Sequence, residues 1–117
     1  VAADGPAFMN VIAPCPRGWR HETNQAIEIA KLAVDTCFWP LYEVIDGVKY
    51  NVTYKPKDKQ PVTEYMKQQG RFKHLFKPEN QKLIEEIQKK TDQEWHLLLK
   101  KSEDVALKEY FDSLKWN

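Results

Sequence analysis

Asp46-Gly47 separates two short runs rich in β-branched, aliphatic and aromatic residues, Leu41 to Ile45 and Val48 to Tyr54. Both central residues of a type I′ turn need positive φ, which Gly adopts freely and Asp tolerates, so the dipeptide predicts a β-hairpin with its tip at 46–47. The hairpin also marks a change of character. Before it the chain reads as compact apolar patterning, and after it as amphipathic, heavily charged segments.

Upstream, Ala7 to Ala13 is a nearly continuous apolar run, entered through Gly5-Pro6, stopped by Pro14 and carrying Asn10 as its one polar residue. That pattern predicts a buried parallel strand. From Thr23 to Cys37, apolar residues at 26, 27, 29, 30, 33, 34 and 37 follow helical spacing, with Thr23 or Asn24 as N-cap and Pro40 closing the far side. Strand, loop and helix in this order suit an open parallel sheet, whose ligands gather at the carboxyl ends of the strands. Here that place is the loop from Pro14 to Glu22.

Downstream, Lys55 to Gln60 reads as a charged loop, and Pro61 enters a short helix ending near Gly70, a natural C′ residue. Arg71 to Lys77 reads as a basic connector. Pro78 opens a long helix with Leu83, Ile84 and Ile87 on one stripe and Trp95, Leu98 and Leu99 farther along. A last helix, Ser102 to Lys115, carries Val105, Leu107, Tyr110, Phe111 and Leu114. The fold class expected is α/β. Residues 1–54 form a strand-loop-helix unit with the hairpin, and residues 55–117 form a charged helical arm that packs on the first part, on chain upstream of it or on another subunit.

Eighteen Lys and Arg face 17 Asp and Glu for a net charge of +1, so no global field draws this chain to nucleic acid or to a membrane. No run approaches the ~18 apolar residues of a membrane span. Val1 to Pro6 has neither the basic nor the apolar region of a signal peptide, and the expected location is the cytoplasm. The chain begins without Met and in mid-phrase, which suggests a fragment. Its two cysteines, in a reducing compartment, are poor grounds for a disulfide, and the sequon Asn51-Val52-Thr53 is expected to be silent there.

Pro14-Cys15-Pro16 is the most unusual stretch. The following proline excludes the helical region for Cys15 and Pro14 fixes its own φ, so the direction of the thiol is preset. With Arg17 and Arg20 nearby, that suits a metal or cluster ligand. The alternative is a packed cysteine in a proline-rich turn, the commoner fate of an unpaired cysteine. A nucleophile would need a base in reach, and His21 is the one residue close in sequence. Cys37, beside Phe38 and Trp39, reads as a small core residue. His74, in Arg71-Phe72-Lys73-His74, has a phosphate-binding reading but fits a solvated connector better. His96, with Asp92 one helical turn before it, is weak support for a metal and reads as structural or solvent-facing. Trp19, Trp39 and Phe38 are expected to fill core space or cap a sheet edge, with Trp19 also placed to shield a group at Cys15 from water.

Gly5-Pro6-Ala7-Phe8, Ala13-Pro14-Cys15-Pro16, Gly18-Trp19-Arg20, Trp39-Pro40-Leu41-Tyr42-Glu43, Val52-Thr53-Tyr54-Lys55-Pro56, Pro61-Val62 and Gln69-Gly70-Arg71-Phe72-Lys73-His74-Leu75, in that order, resemble the end of the beta subunit of pyruvate:ferredoxin oxidoreductase, also called pyruvate synthase, in the 2-oxoacid:ferredoxin oxidoreductase family. The match covers residues 5–75. Beyond it only a generally helical tail is recognisable.

The resemblance implies the carboxy-terminal part of a thiamine-diphosphate-binding parallel-sheet domain, in an oxygen-sensitive enzyme that decarboxylates pyruvate on thiamine diphosphate, passes electrons through 4Fe-4S clusters to ferredoxin and makes acetyl-CoA from CoA, or runs in reverse. The family takes cluster ligands from an upstream CxxC pair, a third cysteine and a late Pro-Cys element, which Cys15 matches. Thiamine diphosphate and Mg2+ are held there by a GDG element with a downstream asparagine, which this sequence lacks. No catalytic residue is therefore assigned to this chain. Where relatives are expected to have a small residue, this chain has Cys37, a difference of packing. Enzymes for branched-chain and other 2-oxoacids share Pro-Cys-Pro and Gly-Trp, so pyruvate rests on the later blocks. Partners implied are the other subunits of the complex and ferredoxin. A reading from a different class is a non-catalytic module whose residues 55–117 dock on a partner subunit while Cys15 packs.

Overall fold

The computed structural model describes residues 4–113. Their elements are α1 (Pro16–Trp19), α2 (Ala26–Asp35), β1 (Tyr42–Ile45), β2 (Lys49–Val52), α3 (Val62–Met66), α4 (Gln81–Glu103) and α5 (Val105–Ser113), with 3₁₀ turns at Thr23–Gln25, Gly70–Phe76 and Pro78–Asn80. The chain is thus a mixed helix-and-strand structure in which the helices predominate.

The hairpin forms where the Asp-Gly signal places it. Asp46 and Gly47 both have positive φ, 51° and 73°, and the Val48 N–H closes the turn on the Ile45 carbonyl at 3.1 Å. Tyr42 stands opposite Val52 and Val44 opposite Tyr50, which sets Tyr42 and Tyr50 diagonally on one face with stacked rings. On the other face Asn51 of the sequon donates its amide to Glu43 at 2.8 Å.

Among the described residues this antiparallel pair is the one sheet, and the parallel sheet expected from Ala7 to Ala13 is absent. That run has no regular secondary structure, and Phe8, Met9 and Val11 are 90%, 81% and 69% exposed. The physical reason is pairing. A strand needs a neighbour to satisfy its backbone, and the two extended segments available are used on each other.

The helix of 23–37 forms with corrected ends. Neither Thr23 nor Asn24 is its cap: Glu22 precedes the 3₁₀ turn, donating its N–H to Gln25 Oε1 at 3.1 Å and accepting the Gln25 N–H at 3.0 Å. Ile29 and Ala33, one turn apart, are fully buried, while Ile27 points to solvent. At the far end Cys37 takes the left-handed C′ position, φ 58°, that glycine normally fills, and its N–H reaches the Val34 carbonyl at 3.0 Å.

Two clusters form the interior. In the first, Ile29 and Ala33 of α2 meet Val62, Tyr65 and Met66 of α3, with Ile12, Trp19, Trp39 and Phe72 packed around them. The second joins Cys37 to Trp95 and Leu98 of α4, covered by Tyr50 and Val52 of β2. The long helix serves both. Ile87 packs against the first cluster and Trp95 and Leu98 belong to the second; Ile84 is buried, and Leu83, turned about 100° from it, is exposed. The expected helix from Pro61 to Gly70 is shorter, and Arg71–Lys77, read as a connector, is mostly 3₁₀ turn. The helix expected to start at Ser102 starts later, since Ser102 and Glu103 end α4 and α5 begins at Val105; the side chains of Val105, Leu107 and Phe111, and all of Leu114 to Asn117, lie outside the described residues.

The radius of gyration is 17.4 Å, against about 13 Å for a compact domain of this length, and the extents are 55 × 28 × 23 Å.

Candidate functional site: the Cys15 turn

Cys15 precedes α1 in an extended conformation, φ −107° and ψ 111°, with Pro16 as the first helical residue. Its carbonyl accepts the Trp19 N–H at 2.9 Å, and the Pro16 carbonyl accepts the N–H groups of Arg20 and His21. Arg20 ends the turn in the left-handed region, φ 56°. The side chain of Cys15 is exposed, and a Cβ at Gly18 would stand 3.8 Å from its Sγ, an ordinary contact.

The other side of this turn is anchored. Gly70 donates its N–H to the Arg20 carbonyl at 2.7 Å, in an approach so close that a Cβ on Gly70 would sit 2.7 Å from the Arg20 Cβ. The adjoining Arg71 lays its guanidinium over the rings of Trp19, at 3.9 Å, and Phe72, at 4.6 Å. Its Nε donates to Gln69 Oε1 at 2.7 Å and its terminal nitrogen to the Tyr65 hydroxyl at 3.1 Å. Buried Gln69 in turn donates to the Tyr65 carbonyl at 2.6 Å. Burial raises the Tyr65 hydroxyl above its usual range, and the Arg71 charge pulls in the opposite direction.

Gly70 was read from sequence as the C′ residue of a helix. That helix ends at Met66, and Gly70 serves instead to let two backbones touch. Sequence reasoning missed the contact because Arg20 and Gly70 are distant in the chain. The available signal was Gly70 beside Arg71 and Phe72.

The remaining candidates separate from this turn. Cys37 is buried in the second cluster among Trp95 and Leu98, away from the Cys15 turn, and burial lifts its thiol to about 11, which disfavours the thiolate. Trp19 packs against the first cluster beside Tyr65. Phe38 is partly exposed against Tyr65, and Trp39 is half-buried. His74 is exposed, and its carbonyl holds the Asn80 amide at 2.7 Å. His96 is exposed on α4, while Asp92, its suggested partner, binds Lys59 and Gln88. Among the described residues no three His, Cys, Asp or Glu side chains converge as a metal site. Two surface grooves, one along α4 at Ile84, Gln88 and Asp92 and one at Asp35, Tyr54 and Lys57, lie away from Cys15.

Over 97 residues the chain is 47% identical to pyruvate synthase subunit PorB of Thermotoga maritima, an alignment covering 82% of this chain and 30% of that protein. It is 49% identical over 85 residues to PorB of Methanosarcina barkeri, covering 73% and 28%. The chain belongs to the PorB family. It is also 44% identical over 100 residues to ketoisovalerate oxidoreductase subunit VorB of Pyrococcus furiosus, covering 85% and 31%. No protein-family model matches the chain. This PorB-family chain spans about a third of the length of the curated relatives it matches. As for membranes, no helix among the described residues is long and apolar enough to cross one.

A 4Fe-4S cluster needs four sulfur donors of the thiolate kind. Cys15 fits that requirement once, through an exposed sulfur on a pinned turn. Cys37 does not fit.

Proposed function

We propose that this PorB-family segment is part of an oxidoreductase that converts pyruvate and CoA to acetyl-CoA and CO2, or the reverse, with ferredoxin as electron carrier, and that Cys15 supplies one cysteine ligand of a 4Fe-4S cluster. The observation that carries the proposal is the pairing of an exposed thiol with a turn fixed on both sides: Pro14 and Pro16 restrict its backbone, and Gly70 anchors its exit. When bound, the cluster supplies one-electron transfer. Cys15 holds and aims a sulfur, and Arg71 stacks on Trp19 of the same turn.

The other donors, and the site for thiamine diphosphate and Mg2+, come from the remainder of the subunit. Ala7 to Ala13 pairs there as a parallel strand of the thiamine-diphosphate-binding domain, which covers Phe8, Met9 and Val11. Their exposure supports this reading, as does the elongated shape. Residues 55–117 carry the helical arm that meets other subunits. An oxygen-labile cluster beside a free thiol suits a reducing cytoplasm. Resemblance to both PorB, at 40–49% identity, and VorB, at 43–44%, leaves pyruvate and branched-chain 2-oxoacids as competing substrates, and the later sequence blocks are what favour pyruvate.

The test is an anaerobic assay of the complete complex with CoA and ferredoxin, comparing pyruvate with ketoisovalerate. Ferredoxin reduction that depends on CoA and is faster with pyruvate is the expected result. Faster reduction with ketoisovalerate would reassign the substrate, and no reduction with any 2-oxoacid would reject the proposal.

A further inference from the structure

We infer that Gly70 and Arg71 are positioning residues for the Cys15 sulfur, acting through Arg20 and Trp19; the inference rests on the reading of Cys15 as a cluster ligand. The turn from Cys15 to Arg20 is one helical turn long and has few internal bonds. Its geometry therefore depends on what holds its ends. Pro14 and Pro16 restrict the entrance. At the exit Arg20 sits at φ 56°, a conformation that disfavours a side chain and persists where the surroundings impose it. The imposing contact is the 2.7 Å hydrogen bond from the Gly70 N–H to the Arg20 carbonyl.

Space at that contact admits only glycine. A Cβ at 70 would meet the Arg20 Cβ at 2.7 Å and the Arg20 carbonyl oxygen at 3.1 Å, and neither atom is the free end of a flexible side chain. One of the two backbones would have to move. Arg71 fixes the same turn from a second direction, stacking on Trp19, whose own N–H is bonded to the Cys15 carbonyl. The guanidinium is itself held by Gln69 and Tyr65, so the chain of contacts from Cys15 through Trp19 to Arg71 ends in the first core cluster. Supporting groups of this kind, which touch the ligand's frame and not the metal, typically change metal retention by 10- to 100-fold.

The test uses the anaerobically purified complete complex and follows the electron paramagnetic resonance signal of each reduced 4Fe-4S cluster during incubation with an iron chelator. Gly70→Ala is expected to shorten the half-life of one cluster signal on the order of 10-fold and to alter its line shape, with the other signals unchanged. In Gly70→Ala/Arg20→Gly the 2.7 Å clash with the Arg20 Cβ is gone and φ 56° becomes relaxed, while the 3.1 Å approach to the carbonyl oxygen remains, so part of the half-life returns. Arg71→Lys, which keeps the charge but loses the planar stack, shortens the half-life of the same signal to a smaller extent. Should Gly70→Ala fail to assemble, Arg71→Lys decides alone, and an unchanged half-life and line shape there overturns the inference. Wild-type behaviour of Gly70→Ala, or no recovery in the double variant, overturns it as well. If in these cases Cys15→Ala still abolishes the signal, the ligand reading stands without the positioning claim; if Cys15→Ala leaves every signal intact, both fall.

Discussion

Gln88 of α4 accepts the backbone N–H of Val62 at 2.8 Å, capping α3 from another helix. Pro61, in the N-cap position, has no side chain able to do this, and Val62 is fully buried. The Gln88 amide is oriented by its own donation to Asp92 at 3.0 Å, and Asp92 binds Lys59. One side chain thereby ties the long helix to the element that precedes the Gly70 contact.

Gln88→Ala strands a buried N–H and should destabilise the chain by about 1–2 kcal/mol. Urea unfolding would show a lower midpoint at an unchanged slope. The reactivity of the Cys15 thiol should be unaffected in the folded variant.

Cys37 makes a different prediction, since it occupies a left-handed position normally given to glycine. Cys37→Ala keeps the strained φ and loses contact with Trp95 and Leu98, whereas Cys37→Gly loses the same contact and relieves the strain. The glycine variant should therefore be more stable than the alanine variant by about 1 kcal/mol. Equal midpoints, or a more stable alanine variant, would mean that the backbone there is not strained.

The same thiol confers a pH dependence. Burial raises it from 9.0 to about 11, so the folded state keeps its proton where the unfolded chain has lost it. The sign is fixed: its contribution to stability is fully present below pH 9.0 and is lost as pH rises towards about 11. That loss is on the order of 2 kcal/mol. Urea titrations at neutral and alkaline pH should show a steeper decline for wild type than for Cys37→Ala, which isolates the thiol from the tyrosines that titrate nearby. At pH 8, DTNB should react quickly with one thiol per chain, Cys15, and with the second only after unfolding.

How much of this was legible beforehand follows from how local each signal is. Asp46-Gly47 specifies a turn within four residues, and the hairpin formed where it was expected. The stripe of Ile29 and Ala33 likewise needs only helical periodicity. Ala7 to Ala13 failed as a strand because pairing requires a distant partner, and none of the described segments provides one. Gly70 was misread for a related reason, since a glycine before a basic residue looks like a helix terminator until Arg20 is seen across from it. Cys37 hid its left-handed backbone behind a residue type that rarely adopts it. The proline-flanked Cys15 was readable as rigid and aimed, because Pro acts on its immediate neighbours. What holds the far side of that turn was not, because those residues converge through the fold alone.

The central claim is that Cys15 is a cluster ligand, and low-temperature electron paramagnetic resonance of the dithionite-reduced complete complex, wild type against Cys15→Ala, tests it most directly. Loss of one 4Fe-4S signal together with ferredoxin reduction is the predicted result. An unchanged spectrum with unchanged activity would contradict the claim and leave Cys15 as a residue that only packs.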